Sequence, residues 1–340
     1  MPSSAAAFDP VTFLSGILFF PPIALLAAIV IAGGILLFRP RPRTDDNSSP
    51  AAPRKYTAER RAISVVALAI VALFIAEFIE RGYIITDSEF IHWWRFATPL
   101  AAAAVGISVV LAMILTRGSQ RPEQPIATPG RRTWTSFSTP AAIVAASVVS
   151  LALIVTTLTA GFASSPNSQG LYVWLEIPIA NEPSIRPILA LFYGWSYGVP
   201  VLICTAALGA LAWAALDRNA ARPFSRPETI AAERAARRTI AAGVTQVATA
   251  AMLLTLSGAW WLIARAGSGT SLTILGDRVD GHYDATWRYA ELAVAAGWLA
   301  PILETAGLVV VLVVAGEGFR RARPDALAEA DAPIATAALR

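Results

Sequence analysis

Seven stretches of this chain run for roughly twenty residues or more with almost no charged side chain. A helix of about 20 residues spans the roughly 30 Å hydrocarbon core of a bilayer. Inside that core every backbone N–H and C=O must be satisfied within the segment, so the spanning form is a helix. The blocks therefore predict transmembrane helices at 13–38, 62–79, 97–116, 137–161, 188–216, 239–264 and 290–315. The expected fold class is all-α, a polytopic membrane protein whose 340 residues form one seven-helix domain. Composition agrees, with 56% hydrophobic and 15% charged residues, where an average soluble domain carries about 25% charged. So apolar a chain is not a disordered one. The lone Cys204 excludes a disulfide scaffold.

The scarce charge is sorted along the chain. The segments after spans 1, 3, 5 and 7 hold 21 of the 27 basic residues. The remaining six, Arg81, Arg95, Arg186, Arg265, Arg278 and Arg288, fall in the alternate connections. The positive-inside rule then places the N-terminus outside and the C-terminus in the cytoplasm of a plasma membrane. The net charge of +4 expresses this bias and the attraction of arginine for anionic headgroups, not a nucleic-acid surface. Arginine in place of lysine almost throughout, with abundant alanine, suggests a bacterial source with a GC-rich genome. No basic residue precedes Arg39, and the first apolar run is too long for a cleaved signal peptide, so span 1 reads as a retained anchor. Pro21 and Pro22 are expected to kink or divide it.

Residues 39–61, rich in Pro, Ser and charge, read as a flexible cytoplasmic linker, and 324–340 as a disordered cytoplasmic tail. Pro227 and Glu228 suggest a short helix leading into span 6. Two hairpins share their boundaries. Arg60-Arg61 and Arg237-Arg238 open spans 2 and 6, and Trp94-Arg95-Phe96 and Trp287-Arg288-Tyr289 open spans 3 and 7. This reads as three helix hairpins after one N-terminal helix, with the first and last hairpins related as a parallel repeat.

Candidate site residues follow from what is unusual in hydrocarbon. Glu304 sits in the middle of span 7, where an ionisable group faces protein or water. It reads as a relay or substrate anchor, or as helix glue bonded to Gln246 or a threonine of span 6. Glu77 and neighbouring charges mark a vestibule or an interfacial ion pair at the outer end of span 2. Tyr193 and Tyr197 suggest either a groove for a lipid-like ligand or packing and interface anchoring. In the acidic, aromatic outer loops, His92, His282, Asp280 and Asp284 are candidates for partner contact or a weak metal site, although their spacing fits no zinc or EF-hand motif. No metal or other cofactor is expected. No span carries a lysine for a retinal Schiff base or a histidine pair for haem, and no Walker, HExxH or CxxC motif occurs.

The functional expectation is a non-catalytic membrane subunit or scaffold, partnered by the bilayer and by other membrane proteins. The alternatives are a transporter or permease for a small or lipid-like solute using Glu304, and a membrane-embedded enzyme acting on a lipid-linked substrate at the outer face.

Overall fold

The computed structural model describes residues 21–39, 54–80, 92–118, 132–179, 186–269, 271–274 and 281–337. Seven helices lie among them: α1 (Pro21–Phe38), α2 (Arg54–Ile79), α3 (Thr98–Gly118), α4 (Pro140–Ala163), α5 (Trp195–Ala221), α6 (Ile230–Gly267) and α7 (Ala290–Ala337). Helices α2 to α7 are each long and apolar enough to cross a membrane, and α1 is a shorter apolar helix. A mainly helical, multi-pass membrane architecture is therefore shared by sequence and structure.

The structure departs from the sequence reading in several places. Residues 188–191, assigned to span 5, form a β-strand, and helix α5 starts only at Trp195. The connection between α4 and α5 folds into an antiparallel sheet of β1 (Ser165–Pro166), β2 (Tyr172–Ile177) and β3 (Ile188–Leu191). Trp174 pairs with Leu191 and Ile177 with Ile188. Along β2 the residues Val173, Leu175 and Ile177 are buried while Tyr172 and Glu176 are exposed, the two-residue period of a half-buried strand. A second hairpin, β4 (Ser271–Ile274) with β5 (Gly281–Asp284), lies between α6 and α7. All-α thus becomes mainly helical with two small sheets. Helix α2 begins at Arg54, inside the stretch expected to be linker. Helix α7 continues to Ala337, through most of the expected disordered tail, along an alanine-rich stretch of good helix formers. Pro21 and Pro22 stand at the start of the described part of α1, and residues 13–20 of the expected first span lie outside the described residues.

Helix α6 is the hub. It packs against α2, α3, α4, α5 and α7, and 67% of its apolar window is buried, against 11% for α4. Close approach is made by small residues, as where Gly307 of α7 meets Leu254 at 3.0 Å from the position a Cβ would take. The outward face of α4 shows Val144, Val148, Leu151, Val155 and Phe162, the last 80% exposed. A stripe of this kind is stable against lipid tails, not water. The bundle has two unlike ends. One carries both sheets. The other gathers Arg39, Arg60, Arg61, Arg222, Arg237 and Arg238.

Candidate functional site

At the arginine end a set of charges is sealed inside the protein. Glu59 of α2 is fully buried and receives two hydrogen bonds from Arg222, just after α5, at 2.9 and 2.6 Å. Beside it Glu233 of α6 accepts from the Tyr56 hydroxyl at 2.9 Å and from Thr229 at 2.9 Å. Arg237, one helical turn on, is also fully buried. It donates to Tyr56 Oη at 3.2 Å, to Glu233 at 3.3 Å, and to the carbonyls of Arg222 and Pro223 at 2.7 and 2.8 Å. Phe224 lies under the guanidinium groups of Arg237 and Arg132, at 4.3 and 4.2 Å. Burial, with Arg237 and Arg234 nearby, holds Arg132 below the ordinary arginine range. Two carboxylates and two guanidiniums balance, so the cluster is neutral, as a buried group of charges must be. It ties α2, the end of α5 and the start of α6 together.

Sequence reasoning missed this cluster because it counted these arginines only as inside-positive charge. Two signals were available. Glu233 and Arg237 stand four apart on a helix, and Glu59 is an acid placed beside Arg60 and Arg61.

Next to the cluster lies a cavity of about 500 Å³. Its walls come from the end of α1, the first turns of α2, residues 238–246 of α6, residues 314–318 of α7, and the segment 136–140 that starts α4. Arg39, Arg60, Arg61 and Arg238 line it, with Glu317 as the one acid in its wall among the described residues. Arg39 and Glu317 form an ion pair. Gln246 lines this cavity as well.

Glu304 lies half-buried on α7 and is tied to α6 through Ser257, 3.4 Å from its Oε2. Ser257 also donates to the Ala300 carbonyl at 2.8 Å. The expected meeting of Glu304 with Gln246 does not occur. Gln246 and Ser257 are separated by about 16 Å along α6 at 1.5 Å per residue. Glu77 is half-buried in the last turns of α2, at the sheet end.

Tyr193 and Tyr197 come together just before and within the first turn of α5. Both are buried, stacked 6.4 Å apart, and each meets Phe96 edge-on at 5.2 Å. The Thr157 hydroxyl donates to Leu153, which leaves Tyr193 to donate to Thr157 at 3.3 Å. Burial pushes the Tyr193 hydroxyl above its ordinary range. Gly194-Trp195-Ser196-Tyr197-Gly198 has the GxSxG spacing of a nucleophile elbow, a match that sequence reasoning overlooked. The structure gives it a different role. Ser196 lies in the first turn of α5, and among the described residues positive φ is found only at Gly170, so there is no strained elbow. A Cβ on Gly194 would collide with the Tyr172 carbonyl and Ser164, and one on Gly198 with Thr157, which explains both glycines by packing.

His92 is half-buried with Trp94 edge-on at 5.1 Å. His282 pairs with Thr273 in the second sheet. Asp284 accepts from Thr286 at 2.6 Å, and Asp280 lies outside the described residues. Among the described residues no three His, Cys, Asp or Glu side chains come together as a metal-binding group. No family model, curated protein or solved structure matches the chain.

Proposed function

We propose that this chain is a multi-pass protein of a bacterial plasma membrane, N-terminus outside and C-terminus cytoplasmic, that serves as a non-catalytic subunit or scaffold for a membrane complex. The orientation rests on the placement of 21 of 27 basic residues in the segments after spans 1, 3, 5 and 7. The scaffold reading is carried by the buried charge cluster. A transporter built on the hairpin repeat would need α2–α3 to move against α6–α7. Tyr56 of α2 bonds both Glu233 and Arg237 of α6. Thr255 of α6 also donates to the Phe96 carbonyl ahead of α3 at 3.0 Å. Parting the hairpins would strip the buried Glu233 and Arg237 of their bonds to Tyr56, at about 1.5–3 kcal/mol for each hydrogen bond to a charged group. A body held in one arrangement suits a scaffold. Exposed Trp93, Trp94 and Tyr289 at the sheet end offer anchors to a partner.

A second reading, a permease for a small or lipid-like solute, is favoured by Glu304, a half-buried carboxyl in the apolar middle of α7 beside Pro301. One experiment separates the two. Mild-detergent purification with cross-linking and mass spectrometry is expected to recover a membrane partner in fixed ratio to the chain, and to recover it equally with Glu304→Leu. A monomer with nothing attached, together with solute uptake by proteoliposomes that Glu304→Leu abolishes, would overturn the scaffold reading in favour of the permease.

A further inference from the structure

We propose that the cavity at the arginine end binds the phosphodiester headgroup of an anionic phospholipid. The proposal rests on the membrane placement adopted above and on nothing else in that reading.

Four guanidiniums, from Arg39, Arg60, Arg61 and Arg238, converge on one space, and the single carboxylate in its wall among the described residues, Glu317, is engaged with Arg39. The lining therefore carries a clear excess of positive charge. Arg61 and Arg238 are exposed. Unlike Arg222 and Arg237 they take no part in the buried cluster. A guanidinium presents a planar fork of donors that matches phosphate oxygens two at a time. The wall from 136 to 140 adds neutral donors and a favourable field. Helix α4, 24 residues long, starts here, so its positive end faces the same space. Ser138 Oγ is shielded from solvent and has no hydrogen-bond partner among the described residues.

The depth of the cavity distinguishes a lipid from a soluble anion. Its lining on α6 runs from Arg238 to Gln246, about 12 Å along the helix axis. Ile63, Phe137 and Val314 complete that wall. A free phosphate needs the arginines alone. A phospholipid needs arginines at the mouth and an apolar wall beyond them for glycerol and the start of an acyl chain. Its volume of about 500 Å³ lies in the usual range for small-ligand sites, roughly 300–1,000 Å³. Basic pockets between membrane helices on the cytoplasmic side are the usual place for such headgroups.

The test is native mass spectrometry of the whole chain in mild detergent, titrated with phosphatidylglycerol and with phosphatidylcholine. The expected result is one phosphatidylglycerol bound about tenfold tighter than phosphatidylcholine. The double variant Arg61→Ala/Arg238→Ala is expected to weaken phosphatidylglycerol binding by about thirtyfold, at roughly a factor of five for each arginine. Its thermal midpoint in lipid-free detergent should stay at the wild-type value. Equal binding of the two lipids, or undiminished binding by the double variant, would overturn the proposal. A third arm adds inorganic phosphate. Stabilisation by phosphate with no preference between the lipids would assign the arginines to a soluble anion and also overturn it. Loss of the partner sought above would leave these measurements unchanged.

Discussion

Glu59 and Arg222 are separated by 163 positions in the chain and by 2.6 Å in space. Each charge exists inside the protein only because the other is there. Replacing Arg222 by Met leaves Glu59 buried and unpaired, and is expected to cost about 3–5 kcal/mol. The double variant Glu59→Leu/Arg222→Met removes both charges and should recover most of that loss, because a buried ion pair is worth little more than apolar groups of similar size. Thermal unfolding of the purified variants in detergent checks both outcomes. Recovery in the double variant is the decisive one. Sequence reading found Glu304 and missed Glu59 for a physical reason. An acid in mid-span is conspicuous because the membrane defines its surroundings. An acid at a helix end looks solvated until the segments that cover it are known, and here those are α5, α6 and the link between them. Tyr193 and Tyr197 illustrate the same limit, since a tyrosine near a membrane boundary reads as an interface anchor unless its neighbours are known.

At the scale of elements, helices and strands differed in legibility. Helices were read from apolar length alone, and the far ends of α3, α5 and α6 fall within a few residues of the expected boundaries. The Trp-Arg motifs were also informative. Both form the same turn, with Ala97 donating to Trp94 and Ala290 to Trp287, each at 2.9 Å, before α3 and α7 begin. The strands were hidden. In β2 the alternation of Val173, Leu175 and Ile177 with exposed residues was masked by aromatic residues that also suit a membrane interface. The run at 188–191 was absorbed into the helix that follows. Helix contacts make a sharp prediction. A Cβ at Gly106 of α3 would collide with Val66 of α2, whereas one at Gly209 of α5 would meet open space. Gly106→Ala is expected to destabilise by about 1–3 kcal/mol through overpacking. Gly209→Ala is expected to be neutral or to stabilise by up to about 1 kcal/mol through helix propensity. Chemical or thermal unfolding of the two variants side by side tests the contact.

For the whole molecule, orientation is the feature that charge counting addresses and that packing leaves open. In a Cys204→Ala background, a cysteine at exposed Gln169 near the first sheet should react with a membrane-impermeant maleimide in intact cells. A cysteine at exposed Glu228 near the start of α6 should react only after the membrane is opened. The opposite pattern would reverse the topology. The order in which the chain is made adds a further consequence of the hub position of α6. Among the described residues, five of the other six helices leave the ribosome before it, and four of those five pack against it. Glu59 waits through 163 residues of synthesis for Arg222, about 8–30 s at 5–20 residues per second. Packing around α6 is therefore completed late, only after both α6 and α7 have been made.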